Sequence, residues 1–137
     1  MNVMFEVVHQ YYQLKSDFEI SNKTMADWLG VKPRTLYSWV DQPRNVSAKN
    51  TQIESRLSEL VKFKSEIEKE HVSLVYKIAF SPIFGEPQFG QDILDGQSSE
   101  VLIKWYEAIF SKFEAYRAVQ EHRENCVGKT ANSLNTR

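Results

Sequence analysis

The stretch Asn22–Asp41, NKTMADWLGVKPRTLYSWVD, decides how the chain is read. Ala26 stands four residues before Gly30. A small residue at that spacing lets a second helix cross close by, and glycine takes the left-handed turn between the two helices. Pro33 suits the first turn of a helix, so the segment from Ser21 to Asp41 reads as two short helices broken at Gly30-Val31-Lys32-Pro33. Met25, Leu29, Val31, Leu36 and Trp39 then fall on the faces that close on each other and on a preceding helix, which leaves one face outward.

Working outward, Met4, Val8, Tyr11, Tyr12 and Lys15 recur at helical spacing and predict a helix over residues 2–15, its tyrosines packed inward, with SDFEIS ending it. Downstream, DQPRNVS is a linker. A helix starts after it, capped by Ser47 or by the box Thr51-Gln52-Ile53-Glu54. Ile53, Leu57, Leu60, Ile67, Leu74 and Ile78 form a stripe at alternating spacings of three and four, interrupted by Lys64 and His71. The stripe permits one long helix to Phe80, which Ser81-Pro82 ends. SPIFGEPQFGQDILDGQ reads as a loop with one helical turn at Asp92-Ile93-Leu94. From Ser98-Ser99-Glu100 onward, Val101, Leu102, Trp105, Ile109, Phe113 and Tyr116 share one broad apolar face. The expected fold is all-α: a paired-helix region over 1–46, a helical dimerisation or partner-binding region over 47–124, and a flexible tail over 125–137.

Composition agrees with a folded chain of one ordinary domain: 137 residues, 42% hydrophobic, 12% aromatic and 26% charged. The 17 basic and 18 acidic side chains give a net charge of −1, which excludes a global positive field. Between residues 32 and 49, however, four cations stand against Asp41 alone. A lone cysteine, Cys126, and a start without basic or apolar signal regions point to a reducing cytoplasm. The most apolar stretch, VSLVYKIAFSPIFG, carries Lys77 and two breakers, so no membrane span is expected.

Catalysis is not expected. His9, His71 and His122 are scattered, and the chain has neither a phosphate-cradling glycine loop nor a nucleophile elbow. His122 and Cys126 share a helical spacing, but two ligands do not make a metal site, and no metal or cofactor is expected. Glu66, Glu68, Lys69 and Glu70 read as a solvated face.

Over roughly residues 3–60 the sequence resembles the helix-turn-helix DNA-binding proteins, the class of phage repressors and Cro-like regulators. Ala26, Gly30, Val31, Leu36 and Trp39 match that family's small, turn and core positions, and VKPRTLYSWV is similar to its recognition helix. Trp28 departs from the pattern, which has a polar residue there; the departure points to contact with the long helix. The resemblance implies that Lys32, Arg34, Thr35, Tyr37 and Ser38 contact bases of double-stranded DNA, with Arg34 best suited to guanine, while Lys23, Arg44 and Lys49 hold phosphates.

It further implies a transcriptional regulator acting as a homodimer on an inverted repeat. Leu57, Leu60, Ile67, Trp105, Ile109 and Phe113 are the apolar candidates for the dimer or partner interface. Two other readings stay open. One is an antitoxin-like autorepressor whose C-terminal half binds a protein partner. The other is a helical interaction module without DNA binding, with Trp28, Tyr37 and Phe113 as its anchors.

Overall fold

A computed structural model describes residues 3–41 and 48–135, and side chains within 7–41 and 50–123. These residues form an all-α fold with no strand among them: α1 (Val3–Phe18), α2 (Asn22–Leu29), α3 (Pro33–Asp41), α4 (Ala48–Ser65), α5 (Lys69–Val72), α6 (Val75–Phe80), α7 (Pro87–Leu94), α8 (Ser99–Ala108) and α9 (Phe110–Asn135). No helix among the described residues is long and apolar enough to cross a membrane.

The first helix runs three residues further than the tyrosine spacing predicts. Its inward stripe is Tyr11, Leu14 and Phe18, all buried, and Tyr12, a helical step of about 100° away, is instead exposed. Helix α1 ends on Glu19 in the left-handed region (φ 54), with Glu19 N–H bonded to Ser16 O and Ile20 N–H to Lys15 O. That bond pair is the Schellman closure, usually built on glycine. A non-glycine residue in this region costs about 1–2 kcal/mol, and glycine loses up to about 1 kcal/mol of that advantage through its freer unfolded chain. Glu19→Gly is therefore expected to raise stability by about 0.5–1 kcal/mol in urea unfolding.

Helix α4 is central, packed against α1, α2, α3 and α8. Its buried residues Ile53, Leu57, Leu60 and Phe63 join one core that also takes Leu14 and Phe18 from α1, Met25 and Leu29 from α2, Leu36 and Trp39 from α3, and Leu102 from α8. The core thus runs across the boundary drawn at residues 46 and 47. Helix α4 starts at Ala48, one residue after Ser47, so Thr51 lies inside the helix and is not its cap.

The long helix expected to reach Phe80 is broken into α4, α5 and α6. All six apolar stripe residues are buried nonetheless: Ile53, Leu57 and Leu60 in α4, Ile78 in α6, and Ile67 and Leu74 in the two breaks. The two interruptions mark where the chain turns to polar partners elsewhere. Lys64 bonds the Asp17 carboxylate of α1, and this bond holds that carboxyl below its ordinary range. His71, with no exposed surface, bonds Tyr106 of α8.

The expected loop over 81–97 contains a full helix, α7, started by Pro87. Gly90 reads as a breaker in sequence but serves a crossing: a Cβ there would lie 2.6 Å from Ala79 O of α6. The last apolar element also divides, at Ile109 (φ −113, ψ 22), between α8 and α9. Helix α9 continues to Asn135 across the residues expected to form a tail, a stretch without proline.

Five of the residues expected at a dimer or partner interface are taken up by the chain's own core: Leu57, Leu60, Ile67, Ile109 and Phe113 are buried, and Trp105 is half-buried. Trp105 also donates its indole N–H to Asp92 at 2.7 Å. The apolar periodicity that suggested a self-matching surface is satisfied within one copy, because the break between α4 and α6 folds the stripe onto α8 and α9.

Candidate nucleic-acid interface

Helix α2 begins at Ser21, whose side chain accepts the Thr24 N–H at 3.1 Å. It ends on Gly30 in the left-handed region (φ 72), with Gly30 N–H bonded to Asp27 O and Val31 N–H to Ala26 O. Both signals are local in sequence, which is why this pair of helices is legible there. Met25, Ala26, Leu29, Val31, Leu36 and Trp39 are all buried, as their spacing predicts.

The pair is held from behind by three side chains. Tyr11 packs edge-on against Trp39 with ring centroids 5.9 Å apart, and its hydroxyl donates to Asn22 Oδ1 at 2.6 Å. Burial, with the neighbouring Tyr12 and Tyr37, pushes the Tyr11 phenol up to about 12, so it stays a neutral donor. Gln52 of α4 donates to Leu29 O and Gly30 O, both at 3.0 Å. One turn on, Arg56 donates to Trp28 O at 3.3 Å and to Leu94 O and Asp95 O of α7 at 3.2 and 3.4 Å. A guanidinium at two helix C-termini meets the negative ends of both dipoles.

On the outer side, Arg34, Tyr37 and Ser38 of α3 are exposed and share one helical stripe. Tyr37 keeps about half its surface in solvent (51%). Lys32 is also exposed, but it lies with half-buried Thr35 around an open concavity of about 690 Å³ that Asp27 and Leu94 complete. The five expected base-contacting residues therefore divide: three on the outward stripe, two turned towards the end of α7. Exposed Asp41 continues the stripe at its C-terminal end, so the side chains available to an anion lie in the N-terminal part of α3. Lys23 is exposed on α2. Arg44 and the side chain of Lys49 lie outside the described residues.

Two of the three anchors expected of an interaction module are not on the surface. Trp28 and Phe113 are buried, and Tyr37 alone is exposed. Trp28 faces inward, against Phe18 of α1 and Phe80 of α6, with ring centroids at 5.3 and 6.2 Å. Sequence reasoning did not find Gln52 and Arg56, because a polar pair four residues apart on a helix looks the same whether it meets water or the carbonyls of another helix.

A second concave surface lies between α9 and the chain around the end of α6. Ile78, Phe84, Ala115, Tyr116 and Val119 line an apolar groove of about 330 Å³ with Lys112 and Arg123 at its rim. Compared with known proteins, the chain matches no family model, no curated protein and no solved structure.

Proposed function

We propose that the chain is a sequence-specific DNA-binding transcriptional regulator that inserts the N-terminal part of α3 into the major groove. The observation that carries this reading is the α2–α3 pair itself. Tyr11, Gln52 and Arg56 brace it from behind, and Arg34, Tyr37 and Ser38 stand outward on one stripe. A recognition element needs that rigidity, since a misplaced guanidinium loses the two-point contact with guanine O6 and N7. Lys23, Arg44 and Lys49 supply phosphate contacts, which position the protein without reading sequence.

One such element reads only a few base pairs, so the protein acts as a pair of copies on an inverted repeat. The surfaces that join them differ from the core residues named from sequence. A second reading, an autorepressor whose C-terminal half also binds a protein partner, is favoured by the apolar groove beside Phe84 and Val119, which are 47% and 50% exposed.

Selection of bound fragments from a random duplex pool at two salt concentrations tests the proposal. An inverted repeat with half-sites about one helical turn apart is expected, with affinity falling steeply as salt rises. Arg34→Ala should relax preference at one base pair per half-site, at a cost of about 1–3 kcal/mol on the selected sequence, whereas Lys23→Ala should weaken all sequences alike. No enrichment at low salt would overturn the DNA-binding reading, and equal losses on every sequence for both variants would remove Arg34 from its role.

A further inference from the structure

Where α5 meets α9, three side chains converge, two of them from α5 and its cap. Glu68 precedes α5, His71 lies within it, and Glu114 belongs to the second turn of α9. One donor atom from each lies within 4.8 Å of the others. The imidazole is fully buried, walled by Phe110 and Phe113 with ring centroids at 5.3 and 5.4 Å, and its two nitrogens face different partners.

Nδ1 lies 2.7 Å from the Tyr106 hydroxyl, which also accepts the Glu68 backbone N–H at 3.2 Å. Nε2 lies 3.1 Å from Glu114 Oε1, yet it has no hydrogen-bond partner among the described residues. If Tyr106 accepts the Nδ1 proton as its second bond, Nε2 presents a lone pair to a carboxylate, an arrangement that calls for a cation between them. Arg117 takes the other oxygen, Oε2, at 3.0 Å, keeps the Glu114 carboxyl ionised by holding it below its ordinary range, and leaves Oε1 turned to the histidine.

We propose that His71 Nε2, Glu114 and Glu68 bind a divalent transition-metal ion of the zinc class. Donors bound to such an ion at roughly 2.0–2.2 Å lie about 3.0–3.5 Å apart, and the Nε2–Oε1 separation already matches. Glu68 is the ligand that must move. Its side chain is 53% exposed, and its Oε2 lies 3.7 Å from Nδ1, the nitrogen that faces Tyr106, so it must swing round the ring edge to reach Nε2. Tyr106 fixes the tautomer through Nδ1 and Arg117 orients Glu114, the outer-shell supports that a metal-binding histidine and carboxylate require. One imidazole and two carboxylates suit an ion between hard and soft, with the fourth position left to water. The ion would tie α5 to α9, a cross-link independent of any role of α3. Sequence spacing directed attention to His122 and Cys126, whereas Glu68 and His71, three residues apart, meet Glu114 only once α5 packs on α9.

Calorimetric titration of the full chain with zinc chloride at neutral pH tests this, with Cys126→Ser in the background so that the thiol does not compete. One equivalent is expected to bind, and the thermal midpoint should rise by roughly 10 °C at a hundredfold excess over the dissociation constant. Glu114→Gln, which keeps the side chain's shape, should weaken zinc on the order of a hundredfold while the helical circular dichroism of the zinc-free protein is unchanged, and Glu68→Gln should weaken it as well. Absence of binding overturns the site, as does an affinity that both glutamine variants leave unaltered.

Discussion

Trp28→Ala is expected to lower unfolding stability by about 3–5 kcal/mol, the range for truncating a large aromatic in a core that relaxes only partly. The indole is 2% exposed and sits between Phe18, edge-on at 5.3 Å, and Phe80. It therefore joins α1, α2 and α6 around one ring. Its N–H finds no hydrogen-bond partner among the described residues. Trp28→Phe discards that unpaired donor while keeping most of the ring, so its loss should be well below half that of alanine. Urea unfolding at 25 °C with both variants measures the difference, read at unchanged slope so that the midpoint reports stability alone. A Trp28→Ala protein as stable as the parent would mean that the indole faces outward.

Arg56→Ala comes second, at about 2–3 kcal/mol, on the scale of hydrogen bonds from a charged donor. Three carbonyls at the ends of α2 and α7 lose their partner together: Trp28 O, Leu94 O and Asp95 O. The aliphatic stem is removed as well, and its packing is part of the cost. Lysine can restore a charge but not a planar fork that reaches two helices, so Arg56→Lys should recover less than half of the loss. Amide exchange locates the effect. Protection at Gly30 and Val31, whose N–H groups close the α2 turn, should fall more than protection at Leu14 or Phe18 of α1. Uniform loss at all four amides would mean that Arg56 stabilises the fold without bracing that turn.

The contrast between these two residues shows what a sequence discloses. Gly30, Ser21 and Pro33 act on their immediate neighbours, so the α2–α3 pair and its buried face follow from spacing alone. Burial along the stripe from Ile53 to Ile78 was legible for the same reason. Its continuity was not, since the breaks carry no glycine or proline and rest on distant partners: Tyr106 receives the Glu68 amide from 38 residues away. Gly90 misled in the opposite sense. Its missing side chain admits the backbone of α6, and the helix around it survives the lower intrinsic propensity. The outward stripe of α3 was legible except in Lys32 and Thr35, whose direction depends on where α7 ends.

Arg56 has one further effect, on which substitutions the chain can accept together. Its guanidinium lies over two left-handed glycines, Gly30 (φ 72) and Gly96 (φ 74), and a methyl group built on Gly30 would come within 2.5 Å of Nη1, while one on Gly96 would strike Cζ. Residues 30, 56 and 96 are thus one unit of sequence change spread over half the chain. A larger residue at either glycine displaces the arginine head from both helix ends at once, and it bears the cost of the left-handed backbone even when the head has moved. Drift at these positions is coupled, and the order in which the changes arrive decides which of them survive.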